Sequence, residues 1–193
     1  YGDVFGVQPD VLLDVDVTRN RPDCWGYVGI ARDVAPRLGV ALRLAAPVLV
    51  TAGDTRRASV ELIDGERCGR FTSTVMSGVR VGPSAMWMQR RLTAAGMRAI
   101  SNVVDVSNYV MLELNQPTHA YDLGTLGGGG FRIRAAADGE RMITLDGVER
   151  TFTPADVLIC DAADRPIGIG GVMGGLDTEI TDDTTTVALE AAW

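Results

Sequence analysis

The chain reads as a mixed, strand-rich fold with a few helices, on three observations. Several short stretches alternate apolar and polar residues with period two. Three others repeat apolar residues at helical spacing. Turn-forming Asp-Gly and Gly-Pro pairs fall between them.

Taken in order, Val11-Leu12-Leu13-Asp14-Val15-Asp16-Val17 alternates apolar and acidic residues beyond Leu12, the pattern of a half-buried strand. After Thr18-Arg19-Asn20-Arg21-Pro22, Asp23 is placed to cap a helix carrying Ile30, Val34 and Leu38, with Gly39 just past its end and Pro36 kinking its last turn. Residues 42–57 form a mixed connector, the place for an internal boundary if there is one. Val60 and Leu62, then Phe71, Ser73 and Val75, predict strands on either side of Asp64-Gly65. Ser84 is expected to cap a helix with Met88, Leu92 and Ala95 on one face, closed by Gly96. A longer helical series, Val103, Val106, Val110 and Leu114, carries uncharged polar groups and leads through Pro117 to His119, the chain's single histidine. Gly127 to Gly130 reads as a flexible turn. It has neither the Lys-Ser/Thr nor the helix start of a phosphate loop. Phe131 to Arg134 alternates as a strand, Met142 to Phe152 reads as a hairpin about Asp146-Gly147, and Val157 to Cys160 as a buried strand. The glycine-rich run Ile167 to Gly175 and a terminal strand from Val187 to Trp193 complete the pattern.

At 193 residues the chain has ample length for a core, as one large domain or two closely joined small ones. No run approaches the ~20 apolar residues of a membrane span. Tyr1-Gly2-Asp3-Val4-Phe5 lacks the basic start of a secretory signal, so a cytosolic protein is the default expectation. Cys24, Cys68 and Cys160 are odd in number and too far apart for a zinc knuckle, and are expected to be reduced and packed. Net charge is −7, with every basic side chain an arginine. A domain this acidic is a poor candidate for gripping a phosphate backbone by itself.

Imidazole is the side chain best matched to proton transfer near neutral pH. Taken alone, however, one histidine in a loop after proline reads more readily as a structural group. No Gly-x-Ser-x-Gly motif or set of metal ligands accompanies it, which argues against covalent and metal catalysis. Ser107 and Asn108 suit either a local turn or a ligand contact. Gly170, Gly171, Gly174 and Gly175 suit either a tight bend or close approach of backbone to something flat. Glu190, among Leu189, Ala191 and Ala192, either faces solvent or reads a donor inside a pocket.

The run from Asn102 to Glu113, followed by Gln116-Pro117-Thr118-His119-Ala120-Tyr121-Asp122, resembles the B3/B4 domain of the β subunit of bacterial phenylalanyl-tRNA synthetase. Asn20-Arg21-Pro22-Asp23, Gly171-Val172-Met173-Gly174-Gly175 and Leu189-Glu190-Ala191-Ala192 resemble it too, in the family's order, from about Val11 to the end. The resemblance implies an α+β fold, a mixed, strand-rich B3/B4-type domain over residues 1–193, which binds mischarged tyrosyl-tRNA(Phe) and hydrolyses its ester. By that similarity His119, Ser107 and Asn108 match positions near the ester and Glu190 matches the carboxylate that meets the tyrosine hydroxyl. Gly171 and Gly174 match the glycines beside the ring. Gly170 stands where the family usually has alanine at the pocket floor, Ser107 where it often has threonine, and Trp25-Gly26 where Leu-Ser is commoner. The implied partners are the aminoacylated 3′ end of tRNA, held mainly by other modules, and the synthetase α subunit. No cofactor or metal is implied. The expected setting is a domain of a longer cytoplasmic subunit. The alternatives are a stand-alone relative acting on another small ester or amide, and a non-catalytic binding domain.

Overall fold

A computed structural model describes residues 11–44, 46–48, 53 and 55–193. The opening Tyr1 to Phe5 and part of the 42–57 connector lie outside them. The helices are α1 (Tyr27–Leu38), α2 (Met86–Ala94) and α3 (Asn102–Leu114). The strands are β1 (Ser59–Leu62), β2 (Phe71–Ser77), β3 (His119–Asp122), β4 (Gly130–Ala135), β5 (Arg141–Ile143), β6 (Glu149–Thr151), β7 (Val157–Asp161), β8 (Pro166–Ile169), β9 (Met173–Gly174) and β10 (Thr186–Ala192). The fold is mixed α+β.

Five strands form one sheet in the order β1-β4-β7-β8-β9, with β1 parallel to β4 and the other neighbours antiparallel. A three-stranded antiparallel sheet, β2-β10-β3, and the β5-β6 hairpin complete the described strands. Tyr121 and Ala188 of the three-stranded sheet share one core cluster with Phe131, Ile133, Ile159 and Ile167 of the five-stranded sheet. Ile159 faces that core, while its neighbours Leu158 and Cys160 join Met142 and Phe152 in a second cluster. Burial on both faces is why Val157 to Cys160 is a continuous apolar run.

Several local expectations change. Residues 11–17 form no strand, and Val11, Leu12 and Leu13 are 78%, 72% and 74% exposed. Alternation alone does not make a strand, which also needs a neighbouring strand to pair the backbone. Asp23 sits in a short 3₁₀ turn, Pro22–Trp25, with its carboxylate on Arg21; Gly26 occupies the N-cap of α1. Ala85, not Ser84, precedes α2, because the Ser84 hydroxyl donates to the buried Asp105 carboxylate. The glycine run is pinned: Gly127 N–H donates to Asp161 Oδ2 at 3.0 Å. In the β5-β6 turn Gly147 alone of the Asp-Gly pair has positive φ, at 76°.

Helix α3 exists as its spacing predicts, but its buried residues are Asp105 and Ser107, while Val106 and Leu114 are 46% and 56% exposed. Asp105 accepts from Ser84 and from Ile100 N–H, tying α3 to the start of α2 and the chain before it. Ser101 caps α3 by accepting from Val104 N–H, and Asn115 ends it in the left-handed region at φ 58°, a conformation asparagine tolerates better than most. That reversal turns the chain through Pro117 and Thr118 into β3, and so places His119.

Candidate functional site

Strand register assembles the site. Glu190 on β10 stands opposite His119 on β3 and, on its other side, opposite Ser73 on β2. Directly opposed residues project from the same sheet face. His119, Glu190 and Ser73 therefore form a row across the inner face of the three-stranded sheet, and Tyr121 lies two residues along from His119. The opposing wall is the β8-β9 hairpin, whose turn contains Gly171 at φ 71°.

Between these surfaces is a cavity of ≈170 Å³, lined among others by Thr118, His119, Tyr121, Gly171, Gly174 and Glu190. At about 30 Å³ per water it takes a handful of waters and is smaller than the ~300–1,000 Å³ pockets of drug-sized ligands. Its scale is that of a single side chain. A second cavity of ≈220 Å³ lies on the other side of Glu190 and includes Gly170, Val157 and Phe71. Glu190, Gly171, Ile159 and Ala192 belong to both.

Glu190 is 7% exposed. Burial pushes its carboxyl up to about 7, while the bond from Tyr121 pulls it down. The Tyr121 hydroxyl donates to Glu190 Oε2 at 2.6 Å; Oε1 has no hydrogen-bond partner among the described residues. Burial, with Glu190 beside it, holds the Tyr121 phenol well above its ordinary range, so it stays a donor. The His119 ring meets Tyr121 edge-on, with centroids 4.5 Å apart. Burial lowers the His119 pKa, which favours neutral imidazole. A Cβ at Gly174 would stand 2.4 Å from His119 Nε2, so the ring occupies space that only a glycine there leaves free.

The structure thus brings His119, Glu190, Gly171 and Gly174 together around one cavity. Ser107 lies one step behind it. Its hydroxyl is 2.7 Å from both the carbonyl oxygen and Oγ1 of Thr118, and Thr118 lines the cavity. Asn108, half-buried on α3, lines neither cavity. Gly170 lines the second cavity, where an added Cβ would meet Val157 Cγ1 at 3.2 Å. Sequence reasoning gave no role to Tyr121, Thr118 or Ser73. Tyr121 was detectable as the period-two neighbour of His119. The Ser73 hydroxyl is buried without a partner among the described residues, a fact set by pairing 117 positions away in sequence. No group of three or more His, Cys, Asp or Glu is placed to hold a metal among the described residues, and no helix there is long and apolar enough to cross a membrane.

A family profile described as "B3/4 domain" matches residues 67–193. The chain is 50% identical over 186 residues to a phenylalanine–tRNA ligase β subunit of Anaeromyxobacter dehalogenans, covering 95% of this chain and 23% of that protein. It is 46% identical to the protein of the same name from Carboxydothermus hydrogenoformans, with 95% and 23% covered, and 45% identical to that of Moorella thermoacetica, with 98% and 24% covered. The chain thus spans about a quarter of the length of these relatives. Among solved structures, an N-terminal fragment of the phenylalanyl-tRNA synthetase β subunit from Pyrococcus horikoshii matches with a TM-score of 0.54 at 15% identity, covering 90% of this chain and 52% of that one. That likeness concerns the fold alone.

Proposed function

This chain belongs to the B3/4 domain family, and from that membership we propose that its inter-sheet pocket hydrolyses the ester of mischarged tyrosyl-tRNA(Phe), as an editing module of a phenylalanine–tRNA ligase β subunit. One observation carries the reading. A buried carboxylate with an unengaged oxygen lines a cavity of side-chain size, and a histidine without a hydrogen-bond partner among the described residues lines it too. An acceptor that a bound ligand strips of water and leaves unpaired is costly. Tyrosine satisfies it and phenylalanine does not. A synthetic pocket for phenylalanine rejects the added hydroxyl by only about 100-fold, whereas a site that bonds the hydroxyl rejects the analogue lacking it by ~10⁴ or more.

The reaction is attack of a positioned water on the aminoacyl carbonyl, without a covalent enzyme intermediate. Neutral His119 orients the water and carbonyl with nearby backbone N–H groups. Ser107 acts through Thr118, and Asn108, outside both cavities, serves the part of the aminoacyl end that the pocket does not enclose. Gly171 and Gly174 flank the ring, and Gly170 shapes the adjoining cavity. Neither metal nor cofactor takes part. The tRNA presents its aminoacylated 3′ end while other modules hold its body, alongside a synthetase α subunit, in the cytoplasm.

The test is deacylation of tyrosyl-tRNA(Phe) by the intact protein. The double variant His119→Ala, Glu190→Ala is expected to lose hydrolysis. Equal rates in the variant and the unsubstituted protein would overturn the assignment.

A further inference from the structure

We propose that Tyr121 is a specificity-determining positioning residue: its hydroxyl occupies Oε2 of Glu190, leaving Oε1 as the one acceptor a ligand's hydroxyl can meet. The proposal rests on the reading of Glu190 as the group that selects for a hydroxyl.

Tyr121 is 1% exposed and held on several sides. His119 packs edge-on against its ring, and Phe131 lies 5.2 Å away at 63°. A Cβ at Gly168 would stand 3.2 Å from the phenol oxygen, so β8 leaves room for the hydroxyl only narrowly. From this fixed ring the hydroxyl reaches Glu190 at 2.6 Å. A carboxylate without such a clamp can turn about its own axis and offer either oxygen in a range of directions. A clamped one presents a single oxygen in a single direction, with its ordering completed before any ligand arrives.

The phenol also favours the charged form of that carboxylate, against the larger opposing effect of burial. His119 on β3, favoured neutral by burial, and Ser73 on β2, an uncharged hydroxyl, face Glu190 in the cross-strand row. Cys68 and Arg67 come from the chain before β2. Burial raises the Cys68 thiol, keeping it neutral, and the Arg67 guanidinium is taken by Asp64 and the carbonyls of Pro154 and Ala155. The five-stranded sheet contributes apolar Ile133, Val157 and Ile159. Among these groups Tyr121 is the one that offsets the burial of Glu190's charge.

Tyr121→Phe keeps the ring contacts and removes only the donor. In the intact protein, two quantities are measured from pH 5.5 to 9: the titration midpoint of the Glu190 carboxyl, by infrared difference against Glu190→Gln, and the ratio of tyrosine to phenylalanine release from tRNA(Phe). The Glu190→Gln subtraction removes any contribution from His119. The midpoint is expected to rise by about one pH unit, the scale of losing a hydrogen bond to a charged group. The release ratio at pH 7.5 is expected to fall about tenfold and to recover in part by pH 9. An unmoved midpoint, including one accompanied by an equal fall in both release rates, overturns the proposal and marks Tyr121 as merely structural. So does a midpoint that moves while the ratio stays put. An unsubstituted protein with no preference for tyrosine overturns the hydroxyl-reading site itself, and this inference with it; a preference retained in Tyr121→Phe overturns this inference alone.

Discussion

Replacing Glu190 by glutamine should stabilise the fold above neutral pH and destabilise it by about 1 kcal/mol in acid. Burial raises the Glu190 carboxyl from an ordinary 4.5 to about 7. Between those values the folded chain keeps a proton that the unfolded chain has released. Stability therefore falls as pH rises through this window, by about 1.4 kcal/mol per unit. Over the whole interval the ionised carboxylate costs about 3 kcal/mol at pH 8 relative to its protonated form. Glutamine has the shape of the protonated acid, never ionises, and keeps a carbonyl oxygen to accept from Tyr121. Its amide N–H groups need partners in the cavity, a penalty of about 1 kcal/mol. The expected net gain at pH 8 is about 2 kcal/mol, or a rise in Tm of about 4–8 °C for a chain of this size. Calorimetric melts of both proteins from pH 4.5 to 8.5 give the comparison, and pH effects common to both cancel in the difference. A difference that is independent of pH, or a variant less stable at pH 8 than the unsubstituted protein, would refute the reasoning. Activity should move the other way, because the charge-assisted bond to a substrate hydroxyl is lost, lowering tyrosine preference about tenfold.

Other substitutions separate the groups further. Gly174→Ala places a methyl where His119 Nε2 now sits and should lower the hydrolysis rate about 100-fold with an unchanged circular dichroism spectrum. Ser107→Ala breaks the contacts to Thr118 and should cost about 1 kcal/mol in denaturant melts along with part of the rate. Ser73→Ala removes a buried hydroxyl that has no partner among the described residues, so melts should show it neutral to about 1 kcal/mol more stable. Gly170→Ala should displace Val157 by a few tenths of an ångström, since the new Cβ meets its Cγ1 at 3.2 Å and its carbonyl oxygen at 3.3 Å. Ligand titration should then show tighter exclusion of bulky rings with little change in Tm.

The strands were the more legible half of the fold. Phe71 to Val75, Phe131 to Arg134 and Val157 to Cys160 each form strands because a sheet face imposes period two, or burial on both faces a continuous apolar run. Residues 11–17 show the limit of that rule: the alternation is present, but a strand is completed by a neighbour, and sequence does not say where neighbours are. The helices mislead in a different way. The spacing of Val103, Val106, Val110 and Leu114 announces α3 but not its buried side chains: Val103 and Val110 are half-buried, Val106 and Leu114 exposed, and Asp105 and Ser107 are drawn inward by Ser84, Ile100 and Thr118. Buried polar side chains must be paired, and distant pairings do not show in a hydrophobic pattern.

The same physics explains which part of the site was legible. His119 stands out as a lone imidazole and Glu190 as a carboxylate in an apolar strand, yet nothing local relates positions 71 residues apart. The relation is one of register: β10 pairs β3 so that these two residues are directly opposed. A slip of one residue would send Glu190 to the other face of the sheet. That register also brings Tyr121 into line, because a strand that presents His119 inward must present the residue two further on as well. The donor to Glu190 follows from the placement of His119, which makes the histidine, the carboxylate and the phenol one construction set by one strand pairing.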